Sequence, residues 1–360
     1  MKEGKVNVLL DGQWGSTGKG KLAGYLALKH DLNVIACDFQ TNAGHTFRDG
    51  SFEAIVHQIP SGFVNKDAIL AVTPGASITL DYLFREIEMF QDYDIANRLV
   101  IHPNAMVITE EHAAEEGRST KFIASTMKGC GAALAAKTMR KAKLAKDEPK
   151  LDKFIGDTSS LIIGCIKAGG TVLAEGAQGF DLSINHGTAY PFVTSRDVTT
   201  CSILNNCGVP PTYVGDVYGS LRTFPIRVGN VIENGVTAGY SGPWHAGQKE
   251  LTWKELELLS GSEKSLSELT TVTKRVRRVF TWSPVQFRRF LDMCGPTHLF
   301  VNFINHINAS DYGKRLYSDL SVESKDWLRN RGKELESFGH PETRVTHIGT
   351  GPDNADMVEC

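Results

Sequence analysis

The sequence predicts an α/β fold: one large domain around a mostly parallel central sheet. Three observations predict it. Apolar runs of strand length alternate with stretches of helical periodicity through most of the chain. The first such run, residues 5–11, passes straight into the glycine-rich stretch "GQWGSTGKGK" and a helix start. Finally, there is no repeat, low-complexity tract or Pro/Ser linker, so the 360 residues read as a single domain, 1–360, with long functional loops.

Taken in order, "KVNVLLD" (5–11) reads as a strand, 19–30 as a helix, and "NVIACDF" (33–39) and "AILAV" (68–72) as strands. The clearest helix follows at 77–90, where Leu80, Leu83, Phe84, Ile87 and Phe90 share one face and Ser77 or Thr79 can cap the start. Strand "RLVIH" (98–102), helices 131–146 and 151–168, and strand "TVLAEG" (171–176) come next. Helix 284–294, strand "LFVNFI" (299–304), helix 323–338 and strand "RVTHI" (344–348) complete the set. Regular alternation of this kind argues for a parallel sheet covered on both faces.

Composition excludes several classes. A net charge of −2 gives no signal for nucleic-acid or membrane partners. Seven scattered cysteines show no CxxC pair, which suits a reducing compartment. The eleven histidines form no ligand pattern for a protein-caged metal. The first apolar run stops at Asp11, too soon for a signal peptide, and no run spans a membrane. A cytoplasmic protein is the expectation.

Backbone N–H groups at the helix start near Lys19, together with Lys19 and Lys21, form an anion site suited to phosphates. It is not a Walker A motif: five residues separate Gly12 from Gly18, and Gly20 stands where a magnesium-binding hydroxyl belongs. "TNAGHTF" (41–47) places Asn42, Gly44, His45 and Thr46 just beyond a strand, where open α/β sheets gather ligands. The stretch 175–200, "EGAQGFDLSINHGTAYPFVTSRDVTT", is too polar and glycine-rich for a mere connection. "TVTKRVRRVFTW" (271–282) concentrates Lys274, Arg275, Arg277 and Arg278 in a slightly acidic chain, as a site for small carboxylates or phosphates would.

The glycine loop, "TNAGHT", "STMKGCG" (125–131), "EGAQG…HGTAYPFVTS", "TVTKRVRR" and the closing "IGTGPD" (348–353) follow one another across nearly the whole chain. In this order they resemble the adenylosuccinate synthetase family, which joins aspartate to C6 of IMP at the expense of GTP. The compact length is similar to the short archaeal and phage forms. The resemblance implies that the purine 6-oxygen is phosphorylated first and that the aspartate amine then displaces phosphate. It implies phosphate contacts from Gly15, Thr17, Gly18, Lys19, Gly20, Lys21, Gly44, His45 and Thr46. Lys19, His45 and position 16 are the implied catalytic positions, and Ser16 with the Gly44 carbonyl the implied Mg2+ contacts. Asn42, Ser125, Thr126, Gln178 and Thr194, with Ser16, match the monophosphate nucleotide site. Arg140 matches an arginine that enters the neighbouring subunit's site, which implies a homodimer. Thr271, Val272, Thr273, Arg275 and Arg277 match the aspartate loop, and Asn305, Gly349, Gly351 and Pro352 the donor-base site.

Departures from the family pattern sharpen the reading. Ser16-Thr17 replaces Asp-Glu, and that Asp is the family's general base and a magnesium ligand. A serine hydroxyl is too weak an acid to serve as that base near neutrality. The smaller side chain makes room beside purine N1, where a hydroxyl can bond the 2-amino group that distinguishes guanine from hypoxanthine. The chain therefore resembles the bacteriophage branch of the family, the 2-amino-2′-deoxyadenylosuccinate synthetases, which use dGMP for 2-aminoadenine DNA. Asn305 replaces the carboxylate that reads guanine in the donor, so ATP or dATP is expected. Phe303, Lys274, Met127 and the inserted Ala189 are further local departures. Two other readings stay open at this point. One is a conventional adenylosuccinate synthetase with a relocated base; the other is a nucleotide-binding module without chemistry. The acceptor of the N1 proton is equally open among aspartate, a magnesium-bound water and the transferring phosphate.

Overall fold

A computed structural model describes residues 1–270 and 273–360. The chain begins with β1 (Lys5–Asp11), α1 (Lys19–Lys29) and β2 (Val34–Cys37), then a hairpin of β3 (His45–Asp49) and β4 (Phe52–Val56). Next come β5 (Ile69–Val72), α2 (Leu80–Met89), β6 (Leu99–Ile101), α3 (Glu110–Ser119), α4 (Cys130–Thr138) and α5 (Thr158–Lys167). The second half supplies β7 (Thr171–Gly179), α6 (Thr200–Cys207), β8 (Val214–Arg222), α7 (Trp253–Ser260), α8 (Pro284–Cys294) and β9 (His298–Asn302). It closes with α9 (Val322–Ser337), β10 (Arg344–Gly349) and β11 (Met357–Glu359).

Nine strands form one sheet in the order β11-β10-β9-β8-β1-β7-β2-β5-β6. Every neighbouring pair is parallel except β10 with the edge strand β11. The expected α/β class and mostly parallel sheet are the fold observed. Burial on both faces follows from the period of two. Val6, Val8 and Leu10 of β1 join Ile162, Ile203 and Phe290 on one face, while Leu9 joins Leu22, Phe47 and Phe63 on the other.

Several boundaries differ from the sequence expectation, each for a local reason. The helix expected over 131–146 ends at Thr138, and two residues later Arg140 turns the backbone with φ 60. The helix expected over 151–168 is a 3-10 turn, Pro149–Phe154, and then α5, capped by Asp157 accepting from the Ser160 N–H at 3.1 Å. β8 was not expected. Its apolar run is broken by Gly215, Asp216 and Gly219, yet Gly219 is required, since a Cβ there would stand 2.7 Å from the Phe290 ring. Asp216 lies at the sheet's rim beside the Met1 amino group at 3.7 Å. Helices α3, α6 and α7 and the hairpin β3–β4 were also not anticipated. The carboxyl ends of β1, β2, β7, β8 and β9 converge on one edge, and that edge carries the site.

Candidate functional site

A cavity of about 680 Å³ opens over this edge, the size range of small-ligand sites. Its floor is the loop between β1 and α1. Gly18, at φ 96, starts α1, and Gly20 lets the hairpin approach: a Cβ there would meet the Thr46 backbone oxygen at 2.7 Å. Trp14, at the root of the loop, stacks on His245 at 5.5 Å and lies under the Arg227 guanidinium at 4.8 Å. The first turn of α1 carries no acid, and its Gly18, Lys19 and Gly20 face the cavity.

Of the sequence-designated residues, Gly15, Ser16, Thr17, Gly18, Lys19, Gly20, Asn42, Gly44, His45 and Thr46 line this one cavity. Ser125, Thr126, Gln178, Thr194, Thr273 and Arg277 line it as well. Three of them form a chain: Thr194 Oγ1 donates to Gln178 Oε1 at 2.8 Å, and Gln178 Nε2 donates to Asn42 Oδ1 at 2.5 Å. Gln178 holds φ 63 at the very end of β7, a conformation costly for a non-glycine residue and common at ligand sites. Its carbonyl accepts from Lys19 Nζ at 3.0 Å.

His45 begins β3 and stacks flat on Phe39, with ring centroids 3.9 Å apart. Its Nε2 is buried without a hydrogen-bond partner. Burial first, then the positive charges of Lys19, His57 and Arg196, hold its pKa well below the usual histidine value. The ring is therefore neutral at pH 7. A neutral imidazole can still donate one hydrogen bond to an anion without burying a second charge.

At the other end, Arg222 is fully buried at the end of β8. It pairs with Glu268 at 2.5 Å, donates to the Ser16 carbonyl at 3.1 Å and lies 4.0 Å over the Phe303 ring. Burial alone would raise the Glu268 pKa, but Arg222 and Arg277 outweigh it and hold the carboxylate below its usual range. Arg275 donates to the carbonyls of Ala124 and Ser125 at 2.9 and 3.2 Å. Two loops far apart in sequence are thereby joined.

Several of the expected contact residues lie off this cavity. Lys21 does not face the cavity. Its ammonium donates to the Gly351 and Asp356 carbonyls at 2.8 and 2.7 Å, and burial lowers its pKa to about 8. The Thr17 hydroxyl and backbone N–H are likewise taken, donating to Asp11 Oδ2 at 2.6 and 3.3 Å. Gly349 is pressed on Asn302, where a Cβ would fall 2.0 Å from the amide oxygen; Gly351 and Pro352 also lie off the cavity wall. Asn305 is half-buried just beyond β9 and does not line the cavity, whereas Phe303 does. Arg275 itself is behind the wall that Thr273 and Arg277 present. Arg140 is exposed and does not line the cavity. Thr271 and Val272 lie outside the described residues.

Sequence reasoning missed Asp11, Glu116, Arg222 and Glu268. Glu116 accepts from the Gly129 N–H at 2.7 Å and fixes the 125–131 loop. An acid or arginine ending an apolar strand, as Asp11 and Arg222 do, was the available signal.

Comparison with known proteins agrees with this geometry. The family profile described as "Adenylosuccinate synthetase" matches residues 8–147 and 142–311. An "N6-succino-2-amino-2'-deoxyadenylate synthase" of Acinetobacter phage SH-Ab 15497 is 33% identical, over 96% of this chain and 93% of that one. The "Adenylosuccinate synthetase" of Methanocaldococcus jannaschii is also 33% identical, over 98% and 96%. Among solved structures, the cyanophage S-2L succinoaminodeoxyadenylate synthetase, "bound to dGMP and dATP as an energy donor", superposes with TM-score 0.81. It is 30% identical and the match covers 99% of this chain and 95% of that one. The Plasmodium falciparum adenylosuccinate synthetase shares the fold, with TM-score 0.82 at 19% identity and 99% and 100% coverage.

Proposed function

Since this chain belongs to the adenylosuccinate synthetase family, we propose that it is the carbon–nitrogen ligase that joins L-aspartate to C6 of dGMP. ATP or dATP supplies the phosphoryl group. The products are 2-amino-2′-deoxy-N6-succinyladenylate, ADP or dADP, and phosphate. One observation carries the choice of acceptor: Ser16, not an acid, stands exposed on the cavity wall at φ 57. A longer carboxylate there would crowd the 2-amino group of guanine, whereas the shorter hydroxyl leaves room for that group and can bond it. The phage relatives and the dGMP-bound neighbour support the same choice.

In the first step the purine 6-oxygen takes the γ-phosphoryl group. In the second the aspartate amine attacks C6, the C6–O bond breaks and phosphate leaves. Lys19 neutralises charge on the phosphoryl oxygens while its ammonium is oriented by the Gln178 carbonyl. His45 donates from its unpartnered Nε2 to the same group. The Asn42–Gln178–Thr194 chain orients the monophosphate nucleotide, with Ser125 and Thr126 opposite. Thr273 and Arg277 face the aspartate carboxylates, and Arg275 holds their loop closed against Ser125.

Magnesium fits this donor set. Ser16 and Gly44 offer neutral oxygens at the cavity, and the ion ordinarily keeps water and phosphate oxygens as its remaining ligands. Among the described residues no group of three His, Cys, Asp or Glu could cage a metal, so the nucleotide would hold most of it. When bound it neutralises charge between the phosphates. Arg140, exposed past the end of α4, completes the site of a second copy in a homodimer. The host cytoplasm suits these small-molecule substrates, and no described helix is long and apolar enough to cross a membrane.

The test is product identification. Purified protein with dGMP, aspartate and ATP is expected to give equimolar ADP, phosphate and a succinylated diaminopurine deoxynucleotide by mass spectrometry. No aspartate-dependent product from dGMP would remove this function.

A further inference from the structure

The stretch that should carry the loop's acid, Ser16-Thr17, has none, yet Lys19 is buried at 7% exposure. A buried ammonium with only a carbonyl for company is costly. The structure supplies the missing charge from beneath. Asp11, the last residue of β1 and wholly buried, points its carboxylate up into the curl of the loop. Oδ1 accepts from the N–H groups of Gln13 and Gly15 at 2.8 and 3.2 Å. Oδ2 accepts from the Thr17 N–H and hydroxyl at 3.3 and 2.6 Å and lies 3.5 Å from Lys19 Nζ.

We propose that Asp11 is a positioning residue for phosphoryl transfer: it fixes the curl of the phosphate loop and holds the Lys19 ammonium at the cavity wall. The proposal rests on the reading that Lys19 meets the transferring phosphoryl group. Asp11 is not the displaced base moved elsewhere. Both its oxygens are engaged, and it does not line the cavity where a purine would sit. What it provides is geometry. Two groups 3.5 Å apart in a buried site cannot move independently, and the loop amides are aimed only while the carboxylate gathers them. Small misplacement of a group acting on a reacting centre lowers rates by about ten- to a hundredfold.

The experiment is a double-mutant cycle on kcat with Asp11→Asn and Lys19→Gln, in the full-length protein with dGMP, aspartate and ATP. Asp11→Asn is expected to lower kcat about tenfold or more while KM for dGMP moves less than about threefold. In the Lys19→Gln background the same change is expected to cost less than about twofold, because the group it positions is gone. A loss of equal size in both backgrounds, or kcat within twofold of wild type in Asp11→Asn alone, would overturn the positioning role. Should Asp11→Asn fail to fold, Thr17→Val carries the test. It cuts one tie to the carboxylate, and kcat must fall with it; an unchanged kcat overturns the proposal. A wild type without turnover overturns this role together with the functional reading. Normal wild-type turnover with indifferent Asp11 and Thr17 variants overturns this role alone.

Discussion

The phosphate end of the cavity and its rim are built differently. At the phosphate end, Asp11, Lys19, His45 and Gln178 lie at the ends or starts of regular elements and are buried; Asp11 and Gln178 are tied to Lys19, and His45 is stacked on Phe39. Around the rim, Ser16, Phe122, Tyr190 and Arg275 sit on connecting segments and are exposed or half-buried. The departures from the family pattern follow this division. Ser16, Met127, Ala189, Lys274, Phe303 and Asn305 all belong to connections, while the ends of strands and the start of α1 keep Lys19, His45 and Gln178. On the proposed reading the sheet edge carries the chemistry common to the family, and the loops carry the identity of the substrates.

Substitutions can break or sharpen that division. The largest effects belong to the phosphate end. Lys19→Ala and His45→Ala are each expected to lower kcat by about 10²–10³, as lost electrostatic contacts to a reacting group do, with little change of substrate preference. A variant that kept near-normal turnover would show that its residue is structural. Steady-state kinetics with several acceptor nucleotides separates the two outcomes.

At the donor end the effect is smaller and should fall on preference. Asn305→Asp restores a carboxylate that accepts from guanine N1–H and N2–H. The ratio of kcat/KM for ATP over GTP is expected to drop about tenfold, since one mismatched buried polar contact costs about 1–3 kcal/mol. Asn305 lies off the cavity wall and Phe303 on it, so the shift stays partial. A ratio that does not move would place donor reading at Phe303 or elsewhere on the rim.

The smallest effect concerns stability beneath the phosphate end. Glu175 of β7 accepts from the Ser61 and Gly62 N–H groups at 3.0 and 2.9 Å, and burial raises its pKa to about 7 from an ordinary 4.5. A carboxyl raised on folding stabilises most below its unfolded pKa, and that contribution fades as pH rises through the folded value. Relative to Glu175→Gln, the wild type is expected to lose stability between about pH 4.5 and pH 7 and stay level above. Urea unfolding across that range checks the sign; a wild type that gains stability there would contradict it.

Much of this was legible in the sequence because strands that are apolar on both faces announce themselves, as β1, β2, β5 and β7 do. Polar side chains just past such strands, Asn42 and His45 among them, then fall at one edge. β8 was not legible, because close packing on Phe290 demands Gly219, which dilutes the apolar signal. Asp11 was missed because a charge at the end of a strand reads as its terminator, and Arg222 because its strand was not legible; only three-dimensional contacts reveal what each holds. Lys21 was misread in the opposite direction. Two lysines flanking one glycine look alike in sequence, but α1 turns one toward the cavity and the other toward the Gly351 carbonyl.

On the proposed reading a loop residue, Ser16, sets the acceptor while the chemistry of Lys19 and His45 stays the same. The direct measurement is the ratio of kcat/KM for dGMP over IMP, with ATP and aspartate saturating, in the wild type and in Ser16→Asp. The wild type is expected to prefer dGMP strongly, and in the variant that ratio is expected to fall sharply through loss of dGMP use. A wild type that prefers IMP, or a ratio indifferent to the substitution, would contradict it.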